Sequence, residues 1–169
     1  MIVQRLTRFC DTLNAWTGRS VAWLIWVVVA LCVFEVVTRR VFNLPHKWSY
    51  DVINMFYSVH FMLLGGYALL HKGHVAIDIF STRLSPRIQA ILQIATYLVF
   101  FFPFLAVLFW VGLKSAHSSW LMQERSSIGL PLVFPIMKST IPAAAVLLFT
   151  QGFAELIRAV RSLGKGGKA

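Results

Sequence analysis

The sequence predicts an all-α membrane protein of four transmembrane helices, preceded by an amphipathic interfacial helix at the N-terminus. Three observations predict it. Charge-free apolar runs cover 20–34, 52–71, 88–113 and 139–154. A hydrocarbon layer about 30 Å thick takes roughly 20 residues of helix to cross; two runs reach that length directly, and the other two reach it with one boundary charge. Finally, only 13% of the 169 residues are charged and 58% are hydrophobic, and the charges collect at the ends of the apolar runs. The short connectors leave no room for a separate soluble domain, so residues 1–169 read as one integral membrane domain.

Taken in order, residues 1–19 carry Ile2, Leu6, Phe9, Leu13 and Trp16 at spacings of four and three, with Arg5, Arg8, Thr12 and Arg19 mostly on other faces. That periodicity predicts a helix with one apolar and one basic side, suited to lie at the lipid headgroups or to dock on a partner. Span one is expected over about 20–38 and span two over about 50–70. Span three follows over about 88–113, where Pro103 is a candidate kink. Span four covers about 132–156, with Pro135 and Pro142 in its first half. The basic tail, 157–169, ends in a Gly- and Lys-rich stretch expected to be flexible. No internal repeat is visible, so the inverted-repeat signature of many carriers is missing.

The net charge of +10 does not point to nucleic acid, because the cations flank apolar runs, where they anchor to headgroups and set topology. Arg5, Arg8, Arg19, Lys72, Arg83, Arg87, Arg158, Arg161, Lys165 and Lys168 fall on one side; Arg39, Arg40, Lys47, Lys114 and Arg125 fall on the other. The richer side is cytoplasmic by the positive-inside bias, which puts both termini there. Lys138 lies inside span four near its outer end and is expected to snorkel. Trp48, Tyr50 and Trp120 suit an outer aromatic belt, and Trp16 and Tyr67 an inner one. Cys10 and Cys32 form no C-x-x-C pair, so neither a disulfide nor a metal clip is suggested. The first apolar run is too long for a cleaved leader and has no small-residue cleavage site after it.

Ionisable groups at membrane depth are costly and each needs a partner or a purpose. Glu35 and Arg39 are four residues apart and share a helix face. Two readings are open for them: a local ion pair, or an outer-leaflet contact with another subunit. Ser49 is a reasonable N-cap for span two, with Asp51 near the positive end of that helix. His60, in mid-span two, is either a neutral hydrogen-bonded imidazole or a proton relay. Gly65 and Gly66 admit close approach of another helix. His71, His74 and Asp78 are the one cluster with metal-like spacing, but no fourth ligand is evident and no metal is assigned. His74 and Asp78 are read instead as holding the inner-face loop. Nothing resembles a nucleophile–base–orienter set, a P-loop or a dinucleotide fingerprint, so neither catalysis nor a cofactor is expected.

The run Gly66-Tyr67-Ala68-Leu69-Leu70-His71-Lys72-Gly73-His74-Val75-Ala76-Ile77-Asp78 closely resembles a motif of the small, DctQ-like membrane subunit of tripartite ATP-independent periplasmic (TRAP) transporters. Phe34-Glu35-Val36-Val37-Thr38-Arg39-Arg40-Val41-Phe42, Pro45 and Trp48 match as well, as do Ser127-Ile128-Gly129-Leu130-Pro131 and Ile141-Pro142. Members often carry Glu shortly after the Trp of the first outer loop; this chain has Asp51 nearby. The resemblance implies a non-enzymatic subunit of the bacterial inner membrane. It would brace a large membrane subunit (the M component) that carries the transport sites, and would help to dock a periplasmic substrate-binding protein (the P component). Uptake of organic acids, such as C4-dicarboxylates or sialic acid, would be driven by sodium. Under that reading Glu35, Arg39, Arg40, Lys47, Trp48 and Asp51 are candidates for partner contact. The alternatives are a self-sufficient small carrier, which would have to use Glu35 or His60, and a membrane thiol oxidant, for which the cysteines are badly placed.

Overall fold

A computed structural model describes residues 2–71, 86–126 and 128–165. All regular structure among them is helical, as it must be where no water is present to satisfy an open strand edge. The elements are α1 (Ile2–Ala22), α2 (Leu24–Arg40), α3 (Lys47–Leu70), α4 (Pro86–Thr96), a π-helical turn (Tyr97–Phe101), α5 (Phe102–Leu121) and α6 (Val133–Lys165). Four helices are long and apolar enough to cross a bilayer: Gln4–Arg40, Lys47–Leu70, Arg87–Leu121 and Val133–Leu163.

The spans form an open row instead of a closed bundle. α2 packs on α3, α3 packs on α6, and α6 packs on α5 and α4. Among the described residues no extended packing joins α2 to α5 or to α6. α6 is therefore the central staple and is much the most buried of the four spans. Its inward positions are small: Ala144, Ala145, Gly152, Ala154 and Ala159. Between helices in lipid, small residues let backbones approach and so gain dispersion contact, which apolar bulk alone does not provide.

α1 shows the same rule most sharply. It runs into α2 with one interruption at Trp23, where the Trp26 N–H reaches back to the Trp23 carbonyl at 3.2 Å. It packs on α3 and on the C-terminal half of α6. The face it buries is not the stripe of large apolar residues. Leu6, Phe9 and Trp16 are exposed, whereas Cys10, Asn14 and Gly18, four residues apart, are buried. Gly18 lies so near Tyr67 that a Cβ would sit 2.4 Å from its ring.

Two further sequence features act through the backbone. Pro103 has no N–H to offer the Val99 carbonyl. Just before it the helix widens by one residue, so that the Phe102 N–H bonds to the Tyr97 carbonyl. A π turn thus stands where the kink was expected, and it sets Phe101 against Gly152 of α6. α6 also runs past the expected end of span four. Helix continues to Lys165, nine residues into the segment expected as tail, because Glu155, Arg158 and Ala159 still pack on the rest of the protein. Residues 166–169 lie outside the described ones, as do His74 and Asp78.

Gly65 and Gly66 make a discriminating pair. A Cβ on Gly65 would meet Leu148 at an ordinary 3.6 Å, but on Gly66 it would fall 2.0 Å from Asn14 Oδ1. Gly66→Ala is expected to cost about 1–3 kcal/mol by overpacking the α1–α3 contact. Gly65→Ala should be nearly neutral. Thermal unfolding of the two variants in detergent checks this, and equal melting temperatures would contradict it.

Candidate functional site

The corner between α2 and α3 is built around one carboxylate. The apolar run of span one carries Glu35 to the C-terminal end of α2, where it is buried. One helical turn on, Arg39 grips its Oε1 through Nε at 3.1 Å and Nη2 at 2.7 Å. Ser49 Oγ donates to Oε2 at 2.6 Å, and His46 Nδ1 lies 3.5 Å from the same oxygen. Thr38 Oγ1 lies 3.4 Å from His46 Nδ1 and donates to the Phe34 carbonyl. The rings of Phe34, His46 and Trp48 close over the group, with centroids 5.4–6.4 Å apart. The turn itself is shaped by Asn43 at φ 55° and by the Leu44 N–H bonded to the Thr38 carbonyl.

Of the residues expected in partner contact, Glu35, Arg39 and Trp48 are brought together here. Arg40 and Lys47 are exposed, with no ion pair among the described residues. Asp51 is half-buried in the second turn of α3, and its Oδ2 is buried with no hydrogen-bond partner. Ser49 is not the N-cap of span two. The helix starts at Lys47, His46 occupies the cap position, and the Ser49 hydroxyl is already spent on Glu35. His46 and Thr38 were not anticipated. The signal in the sequence was a second polar group, His46, across a short turn from a lone intramembrane carboxylate.

The loop between α5 and α6 has its own clamp. Lys138 does not extend to the surface alone, as its position in span four suggested; its ammonium pairs with Glu124 Oε2. Ser119 Oγ donates to the same oxygen at 2.7 Å. The Lys138 ammonium first, and the Ser119 hydroxyl second, hold the Glu124 carboxyl below the usual carboxylate range. Beside it, Trp120 Nε1 donates to Ser139 Oγ at 2.9 Å and ties α5 to α6.

At the opposite end of the spans, polar groups join α1 to α6. Asn14 Nδ2 lies within bonding distance of the Cys10 carbonyl at 3.0 Å, Gln151 Oε1 at 3.1 Å and Thr150 Oγ1 at 3.3 Å. Gln151 Nε2 donates to Asp11 Oδ1 at 3.1 Å, and Arg158 pairs with both Asp11 and Glu155. His60 donates from Nδ1 to the Val21 carbonyl at 3.0 Å and so ties α3 to α1. His71 Nδ1 lies 3.1 Å from the Tyr67 carbonyl. No group of three metal-ligating side chains occurs among the described residues. These arrangements can hold helices together and present charge; they do not assemble a nucleophile with a base.

Two results are expected. Glu35→Ala should lower the melting temperature in detergent more than Arg39→Ala, because the first leaves both Arg39 and Ser49 without their acceptor and the second leaves the Ser49 bond intact. For Glu124 the folded state has the lower pKa. Its stabilisation is fully present above the ordinary carboxylate range and is lost as pH falls through the lowered value. Melting curves of wild type and Glu124→Gln should therefore differ at neutral pH and converge on acidification; a constant difference would contradict the clamp.

In comparison with known proteins, the family model for the DctQ component of tripartite ATP-independent periplasmic transporters matches residues 28–162. No curated protein and no solved structure matches.

Proposed function

We propose a bracing role for this chain, which belongs to the DctQ component family of tripartite ATP-independent periplasmic (TRAP) transporters. It is thus an inner-membrane transport component that associates with the other parts of such a transporter. Our reading is that it widens and stiffens the bilayer-embedded base of a large transport subunit, with both termini in the cytoplasm. The solute, an organic acid, would cross with sodium through that large subunit. A periplasmic binding protein would deliver it, and this chain would help to seat that protein.

The observation that carries the reading is the open row of spans. A row leaves two broad apolar faces, which suits a part that lies between lipid and a larger partner. Trp26, Val33, Val36, Phe104, Val107 and Trp110 are among the large residues it leaves exposed. Glu35, Glu124, Asp11 and Glu155 are each clamped by a cation near the ends of the spans, which suits a rigid part better than a moving one. Glu35, Arg39, Arg40, Lys47, Trp48 and Asp51 are the proposed outer-rim contacts, and His74 and Asp78 the proposed supports of the inner loop.

Purified from membranes, the chain is expected to bring a much larger polytopic subunit with it. Reconstituted alone in liposomes it should take up no organic acid, whereas the complete set of components should. Uptake by the lone chain would overturn the bracing role in favour of a small carrier.

A further inference from the structure

The loop between α5 and α6 forms a groove of about 340 Å³, lined by Trp120, Gln123, Arg125, Pro131, Leu132 and Pro135. Two of its lining residues, Gln123 (φ 45°) and Leu132 (φ 69°), hold left-handed backbone conformations that non-glycine side chains disfavour. Such conformations persist only where the surroundings over-determine them, and they cluster at binding sites. Here the surroundings do so. The Ser126 N–H bonds to the Leu130 carbonyl at 3.0 Å, the Gly129 N–H to the Ser126 carbonyl at 2.8 Å, and the Glu124 N–H to the Ser119 carbonyl at 3.1 Å. Glu124 is fastened to Lys138, and the Trp120 indole to Ser139. The groove is therefore preformed, and filling it costs little ordering.

Its chemistry is one-sided. The walls are an indole, two prolines and a leucine. Arg125 and Gln123 are exposed, and neither has an ion pair or side-chain hydrogen bond among the described residues. Glu35 and Glu124 are already held by Arg39 and Lys138. At the corner between α2 and α3, Arg40 and Lys47 are exposed, and the Asp51 carboxylate stands in the following turn without an ion pair among the described residues, so the unanswered charge nearest the groove is that of Arg125. An arginine over apolar walls, unanswered by its own chain, suits a carboxylate that can accept two parallel N–H bonds. Trp and Arg are also the residues most often found at interface hot spots.

We propose that this groove is a docking site for an acidic side chain of the transporter's soluble binding protein; this rests on the bracing reading and its topology. Four of its six lining residues, Gln123, Arg125, Pro131 and Leu132, lie between the spans, and Trp120 and Pro135 lie at the span ends, so a partner reaches the groove from water, which favours a soluble protein over an intramembrane helix.

The test uses the complete transporter reconstituted in liposomes of zwitterionic lipid, with solute uptake measured as the soluble protein is titrated. Arg125→Glu should raise the half-saturating concentration of that protein by roughly tenfold or more, with uptake at saturation unchanged. Arg125→Gln should fall between the two, and the wild-type value should rise with salt. An unchanged half-saturation in Arg125→Glu would overturn the proposal. So would a defect that appears only when anionic lipid is added, which would assign the groove to headgroups, or loss of copurification with the large subunit in Arg125→Glu, which would assign it to assembly. Failure of wild-type chain to copurify with the large subunit would instead remove the bracing reading on which the proposal stands.

Discussion

In hydrocarbon, an apolar side chain gains nothing by leaving lipid for another apolar side chain. Helices therefore meet where small residues allow close approach and where polar groups would otherwise be stranded. That constraint organises the molecule. α1 turns Cys10, Asn14 and Gly18 inward and leaves Leu6, Phe9 and Trp16 outside, the reverse of a water-soluble amphipathic helix. α6 is central because its small residues admit neighbours on several sides: Gly152 takes the ring of Phe101, and Ala154 is completely buried. α5 returns the favour at Gly112, where a Cβ would stand 2.7 Å from Ile141.

The polar contacts add direction to that packing. At one end of the spans, two carboxylates are each enclosed by donors from two helices: Glu35 by Arg39 and Ser49, Glu124 by Lys138 and Ser119. At the other end the Asn14–Gln151–Asp11–Arg158 chain ties α1 to α6. Such groups are expensive to leave unpaired, so each network disfavours sliding or rotation of its helices. A row of four spans is fastened near both ends yet open on its flanks. The proposed bracing role would use that combination, with fixed registration inside the part and open faces for lipid and partner.

Unpaired cations then mark the loops between the spans. The clamps hold Glu35 and Glu124, and Arg40, Lys47 and Arg125 are exposed without an ion pair among the described residues. Exposed charge of this kind steers and orients an oppositely charged partner more than it strengthens the final grip. The preformed loop at Trp120 and Arg125 adds local shape to that field.

Much of this was legible from the amino-acid order alone. The four crossings follow from run length against bilayer thickness, and the Glu35–Arg39 pair follows from helical spacing, because both depend on interactions within one segment. The family was legible in the motifs around Glu35, Gly66 and Pro131, and the matching region covers 28–162. Tertiary structure decided which face of each helix is inside, since in lipid hydrophobicity does not mark the buried side; Asn14 and Gln151 became core and Trp16 became surface. It also decided the partners that come from other segments: Ser49 left the cap for Glu35, Lys138 found Glu124, and Pro103 opened a π turn that Gly152 could receive. Local spacing specifies which residues share a helix face, but only the arrangement of the helices determines what that face meets.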